Sequence, residues 1–211
     1  VTGVQTCALP IYGMKAVYIN AKGTNECSVG IFIKTGSRYE TLKTNGIAHF
    51  LEHMMFKGTK NRKSNTISDE LDNEGATYNA STSYEFTYYF ISGHIRSIKK
   101  FIEIIIDLYS NPLLSTKDIK KERLVVLEEL NMYKDDPDDI IIDTLHKAVF
   151  SNSNLKYPIL GSKKTIMKFT RKDLVNFRDK YYIPNRCVFV VSGNIDTDKI
   201  HKYASKLFPK Y

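Results

Sequence analysis

Apolar and polar positions alternate along two stretches near the start of the chain: Ala16 and Tyr18, then Val29, Ile31 and Ile33, each flanked by polar or small residues. That period of two predicts a half-buried strand pair between Met14 and Lys34, turning at Lys22-Gly23-Thr24-Asn25. A change to helical spacing follows. Ile47 to Phe56 reads as a helix ending near Lys57-Gly58, and Ser64 to Glu74 as a second, with Ser64 or Asn65 at its N-cap and Gly75 at its stop. Thr77 to Ser81 and Glu85 to Ile91 alternate again and predict a hairpin around Ser81-Thr82-Ser83-Tyr84.

Further along, helices are predicted over Ile95 to Tyr109, Thr116 to Tyr133 with Ser115 or Thr116 as cap, Asp138 to Phe150, Thr170 to Tyr181 and Thr197 to Leu207, with a buried strand over Cys187 to Gly193. Strands that arrive as hairpins, with helices grouped between them, point to an α+β fold: a largely antiparallel sheet with helices packed against one face. No internal repeat or low-complexity segment interrupts it.

Composition narrows the class. The chain has 211 residues, 42% of them hydrophobic, enough to bury a real core. The formal net charge of +8 is spread along the whole length, without the dense basic block or aromatic-flanked basic stripe of a nucleic-acid groove. No apolar run reaches the roughly 18 residues of a membrane span, and Phe101 to Leu108 is broken by Glu103 and Asp107 at helical spacing, the mark of an amphipathic core helix. Cys7, Cys27 and Cys187 stand far apart and suggest neither a disulfide framework nor a thiolate metal site, which suits a reducing compartment such as the cytoplasm or the mitochondrial matrix. The start is unusual: Val1 to Ile11 reads VTGVQTCALPI, and from Gly3 its codons can be those of a common sequencing adapter. Residues 1–11 are therefore set aside as an artefact, leaving 12–211 as one domain, and any targeting segment is unreadable from this end.

The chemistry concentrates in His49-Phe50-Leu51-Glu52-His53. At about 100° per residue, a helix projects His49, Glu52 and His53 from one face. Histidines at i and i+4 can reach a single zinc ion, and the carboxylate beside the second is placed to take a proton from water. Five residues recur by chance, so a third ligand is required. Lys121 to Glu129 offers it: Glu122 and Glu129, seven apart, share a face of the long helix, while Leu124 and Leu127 form its core-facing stripe.

Asn45 to Thr59, reading NGIAHFLEHMMFKGT, resembles the signature of the pitrilysin or insulinase-like zinc peptidases (family M16), whose inverted motif gives them the name inverzincins. Within that family the similarity is to the beta-type mitochondrial processing peptidases and their bacterial relatives. It runs from about Met14 to the end and includes Gly36-Ser37-Arg38-Tyr39-Glu40 and Asp135-Asp136-Pro137. The resemblance implies a metalloendopeptidase acting on extended or unfolded peptides, with His49, His53 and Glu129 as ligands of one zinc ion. Glu52 becomes the general base and Glu122 a supporting acid near the metal; Glu128 is the neighbour most easily confused with the ligand. Tyr78 to Glu85 resembles the family's substrate-binding edge strand, on which Asn79, Ala80 and Ser81 would line an added peptide. Where this chain has Ser81, relatives often have an aromatic residue.

The family closes two homologous halves, or two subunits, around its substrate. Only the metal-bearing half is present here, and the family's Arg-Tyr pair belongs to the other. Zinc binding with poor hydrolysis is therefore the expectation for this chain alone. Two other classes compete. A non-catalytic scaffold or partner subunit typically loses motif residues, whereas His49, Glu52, His53 and Glu129 are all present. A structural zinc domain would close the fourth coordination position rather than leave it open beside a base.

Overall fold

A computed structural model describes residues 4–210. Its strands are β1 (Val4–Ile11), β2 (Met14–Ala21), β3 (Glu26–Ile33), β4 (Thr77–Thr82), β5 (Thr87–His94) and β6 (Cys187–Gly193). They form one six-stranded sheet in the order β1-β2-β6-β3-β5-β4, antiparallel throughout except for the β2–β6 pair. The helices are α1 (Ile47–Met55), α2 (Ser64–Asp72), α3 (Ile98–Ser110), α4 (Thr116–Asp135), α5 (Pro137–Val149), α6 (Lys163–Ile166), α7 (Arg171–Tyr181) and α8 (Thr197–Leu207).

The expected α+β class is present, but the strand pair is not. β2 and β3 do not pair with each other; β6 lies between them, parallel to β2 and antiparallel to β3. Its burial alternates, with Cys187, Phe189 and Val191 buried, and it satisfies both inner edges at once. The segment set aside in the sequence also has structure: Val4–Ile11 lies antiparallel to β2, in register from Val4 opposite Ala21 to Ile11 opposite Met14. Tyr12 and Gly13 join them with φ of 47° and 89°, the left-handed pair that a two-residue hairpin turn requires. Val1 to Gly3 lie outside the described residues.

Val29, Ile31 and Ile33 of β3 and Tyr89 and Ile91 of β5 face the helical layer, where α3 brings Phe101, Ile102, Ile104 and Ile105. Burying each such side chain contributes about 1.5–3 kcal/mol. α4 departs from its expected stripe. Ile119, Glu122, Val126 and Leu130 are its buried positions and Leu127 is partly buried, while Leu124 is 63% exposed. The inward face thus runs through the acid Glu122, which a rule based on leucines passes over. α2 also starts differently, with Lys63 at the N-cap and no side-chain cap. All three cysteines are free. Among the described residues no helix is long and apolar enough to cross a membrane.

Two glycines and one acid set the position of α1. Gly46 has φ of 92°, and a Cβ there would meet the Leu160 carbonyl at 2.7 Å; Gly161, with φ of 78°, packs equally close to Asn45. The helix start is capped from a distance: Glu40 Oε2 accepts from Gly46 N at 2.8 Å and Oε1 from Ala48 N at 2.8 Å. These satisfy backbone donors that the first turn leaves open. Burial pushes the Glu40 carboxyl up to about 7, against the lowering effect of those donors.

Candidate active site

α1 divides its faces sharply. Phe50, Leu51, Met54 and Met55 are fully buried in the core, so His49, Glu52 and His53 are turned toward a cavity of about 530 Å³. α4 crosses this face and brings Glu122 and Glu129, the two acids seven residues apart, to opposite nitrogens of one ring. Glu122 Oε1 lies 2.9 Å from His53 Nδ1, and Glu129 Oε2 lies 3.2 Å from His53 Nε2. His49 Nε2 lies 3.2 Å from His53 Nε2 and 3.5 Å from Glu129 Oε1. Glu128 points to solvent.

The site has the chemistry of a metal centre. Among the described residues His49, His53 and Glu129 form the cluster in which one ligand atom from each lies within 4.8 Å of the others. His49 Nε2 and His53 Nε2 lie 3.2 Å apart, near the edge of about 3.4 Å expected of a tetrahedron with zinc bonds near 2.1 Å, and each meets a different oxygen of Glu129, at 3.5 and 3.2 Å. Three acceptors point at one place, and a shared cation satisfies them together. In the metal-free chain a proton does part of this. Burial opposes charge on His53, but the carboxylates of Glu122 and Glu129 outweigh it and hold the imidazole up at about 9. His49 and His53 in turn keep Glu129 well below the usual carboxylate range.

Support behind the site is uneven. Glu122 Oε2 receives Lys57 Nζ at 2.8 Å. Burial would raise the Glu122 carboxyl, yet His53 and Lys57 together lower it. Glu122 Oε1 therefore fixes Nδ1 of His53 as the donor and leaves Nε2 to face the site, the usual tautomer logic of a metal-ligating histidine. His49 Nδ1 is buried and has no such partner among the described residues.

On the other side of the cavity, Asn79, Ala80, Ser81 and Thr82 of β4 form a wall. β4 is an edge strand, and among the described residues nothing pairs with its outer edge. Asn79 Oδ1 accepts from Ala80 N at 2.8 Å, so this main-chain donor is partly occupied by its own neighbour. Thr82, buried, donates to Glu52 Oε2 at 2.6 Å. Tyr133, Ile159 and Leu160 close the far side. Thr82, Lys57, Tyr133, Ile159 and Leu160 escape the sequence reasoning. The first two stand inside stretches that carried the resemblance; Tyr133 lies one turn beyond Glu129 on the same face of α4, and Ile159 and Leu160 reach the cavity only through packing of a distant segment.

Residues 15–163 match the family model described as insulinase (peptidase family M16), and residues 168–211 match that of the peptidase M16 inactive domain. The chain belongs to peptidase family M16. It is 39% identical over 199 residues to the uncharacterized zinc protease YmxG of Bacillus subtilis, covering 94% of this chain and 48% of that protein. It is 38% identical over 178 residues to the mitochondrial-processing peptidase subunit beta of Homo sapiens, covering 84% and 36%. A solved protease from Helicobacter pylori superposes with a TM-score of 0.88 at 27% identity, over 98% of this chain and 50% of that one. The chain thus spans about half the length of the M16 relatives it matches, or less.

Proposed function

We propose that the chain is the metal-bearing half of a zinc metalloendopeptidase that hydrolyses extended or unfolded peptides. The carrying observation is the convergence of His49 Nε2, His53 Nε2 and Glu129 on one point, with Glu52 beside it on the same cavity. In this reading those three residues hold zinc, which when bound supplies a Lewis acid that lowers the pKa of water and polarises a carbonyl. Glu52 takes a proton from the attacking water and returns it to the leaving amine. Its Oε2 is occupied by Thr82, so Oε1 is the oxygen left for that transfer. The substrate is received as an added strand on the outer edge of β4, along Asn79, Ala80 and Ser81, with Asn79 releasing the Ala80 N–H as the peptide pairs.

The reading also calls for a second half. α5 has no buried residue, and Ile141, Leu145 and Val149 are each more than half exposed, an apolar face that suits a closing partner beside the cavity. The groups that clamp the substrate from the other side belong to that half, so the 211-residue chain alone binds zinc and cleaves poorly. The test is to express the full-length parent and compare it with Glu52→Gln for zinc content and peptide cleavage. Retained zinc with cleavage lowered by roughly 10²–10⁴-fold is the expected result; unchanged cleavage contradicts the assignment of the base.

A further inference from the structure

The wall between the base and the substrate edge holds one polar contact whose consequence goes beyond occupying one oxygen of the base. It concerns Thr82, the last residue of β4, whose hydroxyl donates to Glu52 Oε2 at 2.6 Å. That length is characteristic of a hydroxyl bound to an ionised carboxylate, the stronger class of hydrogen bond. The donor is also rigidly mounted. Thr82 is buried and opposes Thr87 as the terminal pair of the β4–β5 ladder, and Thr87 is itself tied to the Thr35 carbonyl at 3.0 Å. A β-branched side chain in a strand has restricted χ1, so the direction of the Thr82 hydroxyl follows from the backbone of β4.

Glu52 has the opposite character. Its side chain has three torsions and lies at the border of an open cavity, half-buried. Among the described residues, Thr82 is the donor that fixes one of its carboxylate oxygens. We propose that Thr82 is a positioning residue for the peptidase reaction: its hydroxyl holds the Glu52 carboxylate in register with the strand that receives the peptide. The inference rests on the proposed function. It adds that base and substrate are referenced to a single element, β4, so that the peptide pairing on its outer edge and the carboxylate bound at its end keep a fixed separation. Misplacement of a catalytic group by about 1 Å can cost about 10²-fold in rate, which is the scale at which such mounting matters.

The experiment uses the full-length parent with Thr82→Val, which keeps the shape and removes the hydroxyl, and Thr82→Ser, which keeps the hydroxyl. The expected result for Thr82→Val is a fall of about tenfold or more in kcat at unchanged KM and unchanged zinc content, with Thr82→Ser within about threefold of wild type. In a Glu52→Gln background, Thr82→Val is expected to change the residual rate by less than about twofold, because the effect runs through Glu52. Thr82→Ala replaces Thr82→Val if the latter does not fold. The inference is overturned if removal of the hydroxyl leaves kcat unchanged, if KM or zinc content carries the loss, or if the loss persists in full in the Glu52→Gln background. An inactive wild-type parent instead defeats the proposed function itself.

Discussion

Two carboxylate clusters flank the end of α1, and they are built on opposite principles. Around Asp107 every acceptor meets a protein donor. Thr59 Oγ1 and Arg62 guanidinium reach Oδ2 at 2.6 and 2.8 Å, and the amides of Asn61 and Asn111 reach Oδ1 at 2.7 and 2.9 Å. Burial raises the Asp107 carboxyl, but these donors outweigh it and the group stays ionised and closed. Around His53 potential acceptors outnumber the donors instead: His49 Nε2, His53 Nε2 and the Glu129 oxygens converge, with only the histidine ring protons to share among them. A satisfied cluster holds a loop in place; a cluster richer in acceptors than in donors is suited to a cation. Acid content alone does not distinguish them.

The largest separation between the two should appear on breaking the closed one. Asp107→Ala leaves the Arg62 guanidinium partly buried with Glu70 as its main counter-charge, and is expected to cost about 3–5 kcal/mol of stability, read by denaturant unfolding. The proposed metal ligands are untouched, so the folded fraction of that variant should keep its zinc stoichiometry. The open cluster should respond in the other direction. Glu122→Gln is expected to weaken zinc binding about 10–100-fold in a chelator competition, with a much smaller change in stability of the metal-free chain. Equal zinc affinity in the two proteins would show that the Nδ1 contact is idle.

A third contrast is in pH. Because Glu122 and Glu129 hold the metal-free His53 at about 9, above its unfolded value near 6.5, the charged ring contributes stability that is fully present below about pH 6.5 and is lost as pH rises through about 9. Zinc must displace that proton. Apparent affinity should therefore climb by about tenfold per pH unit up to about 9 and then level off. A flat profile over that range would contradict the raised His53.

Much of the site is legible in sequence because helices carry local geometry. The i, i+4 histidines and the seven-residue interval between Glu122 and Glu129 are facts of spacing, and the structure brings all four to one place. What spacing does not say is which acid meets which nitrogen of His53. The resemblance drew a distinction between the two acids; the geometry separates them by ring nitrogen. Sheet order is less legible. Nothing near β2 or β3 announces that a strand more than 150 residues later lies between them, since pairing of distant strands is decided by the packed whole. Leu124 shows the limit of periodicity in another way: its helix turns an acid inward at Glu122 and leaves the leucine to solvent. Ile159 and Leu160 belong to the same class of surprise, because each reaches the cavity through tertiary contact rather than through a motif.

The central claim is that the chain carries one built zinc site, and the direct measurement is a zinc titration of the purified 211-residue chain, stripped of metal, against a competing chelator. One tightly bound zinc per chain, abolished in Glu129→Gln and retained in Glu52→Gln, is the predicted result. Absence of stoichiometric zinc, or zinc binding indifferent to Glu129, contradicts it.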